Sequence, residues 1–229
     1  MLDHQFAKTF QSTELNYSSV AALWLFSMHG PPKPITEQEE WQAKQLPTPK
    51  ANQYKYSRGC VREALSNLLK VPALEIPLRA EPNKAPLLEA GWGYVSFSHC
   101  ENALFIGWSP KRIGVDIEKE GRKIKARQIM ERYFFKNEKQ RIEHFDSKEL
   151  AKEVIKLWVI KEAAIKWQRG KLSSDLGKWH YDNENKLVMH RSKKIILNVF
   201  EKTYLEWHIG IAIKDSIGKR FPIICTDNK

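Results

Sequence analysis

From Arg112 to Glu118 the sequence reads Arg-Ile-Gly-Val-Asp-Ile-Glu, alternating apolar and polar residues with the period of a β-strand. A strand puts Ile113, Val115 and Ile117 on one face and Gly114, Asp116 and Glu118 on the other. The pattern predicts a half-buried strand whose two carboxylates are neighbours, roughly 7 Å apart along the chain. Gly114, having no Cβ, leaves room beside them for a ligand or for the close approach of another backbone segment. About forty residues on, Leu157 to Lys166 adds a third carboxylate, Glu162, and a lysine one helical turn after it, Lys166.

The helix carrying Glu162 is predicted from Lys148 to about Trp167, with Leu150, Val154, Leu157, Trp158 and Ile165 on its buried stripe. A surface Glu162–Lys166 pair at i,i+4 is the ordinary expectation. Glu162 falls at the edge of the stripe, however, where a carboxylate needs a counter-charge or a metal. Asp116, Glu118 and Glu162 are hard oxygen donors of the kind that suits magnesium, which commonly bridges carboxylates to phosphate oxygens. Positioning and charge neutralisation of this kind do most of the work in phosphoryl transfer.

Elsewhere the chain gives weaker signals. Val20–Phe26 is a buried first strand, and Thr36 with the acids after it opens a capped helix. Pro47 and Pro49 end that helix, and a second is expected from about Asn52 to a stop before Pro72. On it Arg58 and Arg62 share a face, either as solvated arginines or as a phosphate-binding pair. Residues 75–91 read as loop. Tyr94–Ser98 is a strand ending at His99, and Ala103–Trp108 is a second, turned by Ser109-Pro110-Lys111 into the Arg112–Glu118 strand as a hairpin. Lys119–Lys125 reads as a solvated connector, Ile129–Phe135 as a helix, and Lys136-Asn137-Glu138 as the opening of a further short one. Strands are expected at Ile195–Val199 and Trp207–Ile213. The last faintly echoes Leu104–Trp108 half a chain earlier, as two similar halves would. The fold class is therefore α+β, divided into residues 1–111 and 112–229.

Thirty-eight Lys and Arg against 27 Asp and Glu give a net charge of +11, which favours polyanionic or acidic partners without choosing among them. Cys60, Cys100 and Cys225 form no pairing pattern and no metal-ligand spacing, as in a reducing compartment. Met1-Leu2-Asp3-His4 opens no secretory leader, and Val20–Phe26 is too short to span a bilayer, so a cytoplasmic protein with no membrane partner is expected. A metal-dependent nuclease would also use acids, a lysine and a basic surface. Its usual glutamate and lysine two apart on one strand are missing from the acidic face, since Glu118 is followed by Lys119 and Glu120. A basic binding module would leave the three carboxylates unexplained, and no nucleic-acid-binding signature stands out.

Two blocks of this sequence, Gly114-Val115-Asp116-Ile117-Glu118 and Trp158-Val159-Ile160-Lys161-Glu162-Ala163-Ala164-Ile165-Lys166, resemble the signature strand and helix of the 4′-phosphopantetheinyl transferases. Phe97-Ser98-His99-Cys100 is similar to the family's Ser-His block, with Cys100 where a second serine is common. Ser57–Leu65 is similar to its first arginine helix, and Arg132–Glu138 to its Arg-Phe-Phe segment. The matching blocks run from about residue 54 to 176, and the resemblance is to the large, pseudo-dimeric type that activates peptide synthetases.

It implies two α/β halves related by a pseudo-twofold axis, with coenzyme A in the cleft between them. It also implies transfer of 4′-phosphopantetheine from coenzyme A to a serine of an acidic apo carrier protein by a monomer, releasing 3′,5′-ADP, with no nucleic acid as partner. Asp116, Glu118 and Glu162 would hold Mg²⁺, with Mn²⁺ as the alternative. Glu162 would also serve as base for the carrier serine, directly or through a water held by the ion. Lys166 would contact the pyrophosphate, His99 and Arg58 the 3′-phosphate end, and Ser98 and Lys84 the nucleotide. Arg62 is a further coenzyme A candidate.

Overall fold

Two long helices, each needing an apolar sheet to cover, set the layering. The structure, a computed structural model, describes residues 21–82, 84–214 and the backbone of 223–226. Met1–His4, Val20, Asn83 and the side chain of Cys225 lie outside them. The chain begins with β1 (Ala22–Ser27), α1 (Glu37–Lys44), α2 (Thr48–Leu69), β2 (Leu78–Arg79), β3 (Leu87–Leu88), β4 (Tyr94–Cys100), β5 (Ala103–Ser109) and β6 (Ile113–Lys119). It continues through α3 (Ala126–Tyr133), α4 (Lys136–Ile142), α5 (Ser147–Gln168), α6 (Leu172–Asp175), β7 (Trp179–Asp182), β8 (Leu187–His190), β9 (Ile196–Tyr204), β10 (Trp207–Ile213) and β11 (Ile223–Thr226).

The strands form a four-stranded sheet in the order β11-β1-β5-β4, a five-stranded sheet in the order β6-β10-β9-β8-β7, and a two-stranded ribbon, β2-β3. Period-two alternation assigns the faces of the first two sheets. Ala22, Trp24 and Phe26 of β1 pack with Tyr56, Val61 and Leu65 of α2, whereas Leu23 and Leu25 face the second sheet at Val115, Ile117 and Ile209. On the far side of the second sheet, α5 packs Leu157, Ile160, Ala163 and Trp167 into a third core with Val188, Leu197 and Val199. The layers run helix, sheet, sheet, helix, an α+β fold.

The expected elements are present with two changes of substance. Strand β6 is buried on both faces rather than half-buried, because α5 lies across its polar side. The hairpin between β5 and β6 does not form. Strand β5 has both edges occupied, by β1 and β4, while β6 pairs with β10. The turn at 110–112 is a crossing from one sheet to the other. Helix α2 starts at Thr48 rather than Asn52, because Pro49 sits in its first turn, where no backbone N–H is needed. The stretch 75–91, entered through a short helical turn at Ala73–Glu75, forms the β2–β3 ribbon. Glu37 does open a capped helix: the Thr36 hydroxyl accepts from the Glu39 amide, and the Glu39 carboxylate accepts from the Thr36 amide.

Interior strands β5 and β10 carry the echoed sequences, and their glycines open toward different neighbours. A Cβ at Gly107 would meet Val115 Cγ1 of the opposite sheet at 2.6 Å, and one at Gly210 would meet the Val159 carbonyl of α5 at 2.7 Å.

Candidate active site

Strand β6 and helix α5 meet backbone to backbone at Gly114, where a Cβ would lie 2.0 Å from the Ala163 carbonyl oxygen and 2.4 Å from the Trp167 nitrogen. The glycine therefore serves close backbone approach. The Trp167 indole adds a pin, donating to the Arg112 carbonyl at 2.9 Å. This contact sets Glu162, one turn before Lys166, beside the polar face of β6. Ligand atoms of Asp116, Glu118 and Glu162 all lie within 4.8 Å of one another.

Each carboxylate has a different set of partners. Asp116 is fully buried, and its Oδ1 accepts from both Ser98 Oγ and Lys166 Nζ at 2.6 Å. Its Oδ2 is buried with no hydrogen-bond partner, a costly state for a carboxylate oxygen. Glu118 accepts from Arg122 through Oε1 and from the Cys100 thiol through Oε2, the latter at 3.2 Å. Burial and the hydrogen bond to Glu118 push the Cys100 thiol up to about 12, so it stays a protonated donor. Glu162 is half-buried, and burial and the Asp116 charge raise its carboxyl well above the usual range. Burial works against the Lys166 ammonium, but Asp116 and Glu162 outweigh it and its pKa is raised. An orphaned carboxylate oxygen beside a carboxyl forced toward its neutral form fits a divalent cation bound by hard oxygens.

The cluster opens onto a cleft of about 800 Å³ between α2 and β4 on one side and β6 and α5 on the other. His99 is exposed in its wall, and partial shielding of the ring with the Lys166 and Arg58 cations holds its pKa below the ordinary histidine value. Lys84 lines the cleft and pairs with Glu81 at 2.5 Å. Arg58 lines it too, buried between the Tyr54 and Phe97 rings, with two of its nitrogens on the Ala80 carbonyl at 2.8 and 2.6 Å. Arg62 is not brought to the cleft. It is 2% exposed, bound to Glu39 at 2.8 and 3.1 Å and to the carbonyls of Ala73, Ile76 and Leu78. Neither of the arginines sharing a face of α2 is solvated.

Sequence reasoning did not single out Arg122, Arg112 or Arg169. Arg122 belongs to the stretch expected to be a solvated connector, and a turn with Gly121 at φ +80° folds it back onto Glu118. Lys161, next to Glu162, is fully buried against Glu138 at 2.7 Å and lies over the Phe134 and Phe135 rings. Glu138 also accepts from the Phe135 and Tyr181 amides, both at 2.7 Å, so this pair ties α4 and β7 to α5.

Comparison with curated proteins gives no match. Residues 112–219 match the family model of the 4′-phosphopantetheinyl transferase superfamily, whose members use coenzyme A and act on carrier proteins. That stretch, just under half of the chain, contains β6, α5 and all three converging carboxylates, and over it the chain is similar to the 4′-phosphopantetheinyl transferase superfamily.

Proposed function

We propose that this protein transfers 4′-phosphopantetheine from coenzyme A to a serine of an acidic apo carrier protein, in a magnesium-dependent reaction that releases 3′,5′-ADP. The observation that carries the proposal is the convergence of Asp116, Glu118 and Glu162 within 4.8 Å at the wall of a cation-lined cleft. The protein acts as a cytoplasmic monomer of the large, pseudo-dimeric type, its halves being residues 1–111 and 112–229. Among the described residues no helix is long and apolar enough to cross a membrane. The crossing between sheets at 110–112 supports that division, although β11 returns to the first sheet beside β1.

Asp116 through its free Oδ2, Glu118 and Glu162 are the residues that would hold Mg²⁺, with Mn²⁺ as the alternative. The bound ion would supply charge neutralisation at the pyrophosphate oxygens. Ser98 and Lys166 fix Asp116 by occupying its Oδ1. His99, Arg58 and Lys84 form the wall for the nucleotide. The carrier serine Oγ attacks the phosphorus that bears the pantetheine, its proton passes to the Glu162 carboxylate, and the phosphoanhydride bond to the nucleotide breaks. Lys166 neutralises charge developing on the departing phosphate.

Intact mass spectrometry of an apo carrier protein mixed with this protein, coenzyme A and Mg²⁺ tests the proposal. A gain of one phosphopantetheine, abolished by EDTA and by Asp116→Ala or Glu162→Ala in folded protein, is expected. No gain across fatty-acid, polyketide and peptide carriers, with no binding of coenzyme A, would sink it.

A further inference from the structure

Two of the three converging carboxylates already hold a full positive charge. Asp116 Oδ1 accepts from Lys166 at 2.6 Å, and Glu118 Oε1 accepts from Arg122. The two cations are held differently. Lys166 stands on α5 with its side chain 30% exposed, and it uses the oxygen of Asp116 that Ser98 also uses, leaving Oδ2 free. The Arg122 side chain is 46% exposed, on the coil between β6 and α3, one residue after the left-handed turn at Gly121.

As ligands of a divalent ion the three carboxylates are ionised. The ion and Lys166 together then match their charge, and a guanidinium kept on Glu118 is one positive charge in excess. Such an excess is costly at a buried, weakly screened site, where like charges a few ångströms apart repel strongly. Lys166 has no need to move, since Asp116 offers its second oxygen. Glu118 has no such spare, because its Oε2 accepts from the Cys100 thiol at 3.2 Å. Arg122 can withdraw into water, where nearly half of its side chain already lies, with the loss of the pair alone.

We propose that a divalent cation bound by Asp116, Glu118 and Glu162 displaces Arg122 from Glu118, so that this arginine is the counter-ion of the metal-free cluster. Given the metal site proposed above, on which this displacement rests, the freed guanidinium turns toward the cleft. Arg122 lines the cleft on one side. On the other it borders a cavity of about 30 Å³ walled by Ile124, Ile129, Ile155 and Trp158, with room for water but not for a guanidinium. Cation binding is thereby coupled to the charge of the cleft wall. The alternative role is support, an arginine that stays on Glu118 and orients it as a ligand. The two roles give opposite signs for one substitution.

Mn²⁺ titrations of the full chain, read by electron paramagnetic resonance on wild type, R122Q and K123Q, separate them. Replacing Lys123 removes the same charge from an exposed neighbour. R122Q should bind Mn²⁺ about tenfold more tightly than wild type, the low end for a hydrogen bond between charged groups. K123Q should stay within about twofold of wild type in salt that screens charges beyond about 8 Å. In wild type, Mg²⁺ should free the Arg122 guanidinium, seen by nitrogen-15 NMR as a hindered signal that becomes fast-exchanging and that R122Q lacks. Tighter binding by R122Q, or binding by R122Q alone, with that change of signal supports displacement. Weaker binding by R122Q makes Arg122 a support of Glu118 and overturns displacement. Equal affinities, an equal gain in K123Q or an Arg122 signal that Mg²⁺ leaves unchanged also overturn it, while wild-type Mn²⁺ binding keeps the metal site. No binding by any of the three chains removes the metal site itself, and displacement with it.

Discussion

Asp116 concentrates the chemistry of the site in one side chain. Its Oδ1 is committed to Ser98 and Lys166, and its Oδ2 is buried without a donor. Ser98→Ala should therefore weaken divalent-cation affinity by about tenfold, the lower end for a group that orients a ligand, in a Mn²⁺ titration read by electron paramagnetic resonance. Glu162 gives a pH signature. Its folded pKa lies above the 4.5 of a free glutamate, so between those values the folded chain binds more protons than the unfolded one. Stability of the metal-free protein should then fall as pH rises from 4.5 through the raised value. Calorimetry in EDTA should show this slope in wild type and a shallower one in Glu162→Gln. Added Mg²⁺ should counter it, because the ion competes with the proton. The acid–acid–lysine set was legible in the sequence because strand period and helix period fix which side chains share a face. The charge state of Glu162 was not, since it depends on two carboxylates from another element.

Helix α5 and strand β6 form one unit because no side chain separates them at Gly114. Gly114→Ala would drive a methyl into the Ala163 carbonyl, with rigid backbone on both sides. A loss of about 3 kcal/mol in urea unfolding is expected, with the slope of the transition unchanged. The sequence admitted a ligand or a backbone neighbour at this position, and packing selected the neighbour. Arg58 and Arg62 show the same limit. Helical spacing gives them a common face, but what that face meets is decided by Glu39 and by the backbone of residues 73–80. Glu39 serves twice, closing the capping box of α1 and neutralising Arg62. The capping box was visible as a local pattern, whereas the ion pair spans 23 positions and was not.

At the scale of the whole molecule, the net charge of +11 bears on encounter more than on folding. If the partner is an acidic carrier protein, the association rate constant in stopped flow should fall by tenfold or more as ionic strength rises from 0.01 to 0.15 M. Over that range the screening length shrinks from about 30 Å to about 8 Å. The dissociation rate should change far less. A salt-independent association rate would remove long-range charge from the account of partner choice.

The sequence by itself determined that a strand bearing Asp116 and Glu118 and a helix bearing Glu162 and Lys166 exist, because hydrophobic period is a local property of the chain. It also carried the resemblance to the family model over residues 112–219, since the signature residues are contiguous within each element. Tertiary structure alone decided that β5 and β6 part into different sheets, because each strand edge was already claimed by a partner distant in sequence. Likewise, tertiary structure placed Arg62 in a buried ion pair and brought Arg122 back to Glu118. It also laid Arg112 over the Trp167 ring and Arg169 over the Tyr94 ring. Which counter-charge a residue meets is a long-range contact, and no periodicity encodes it.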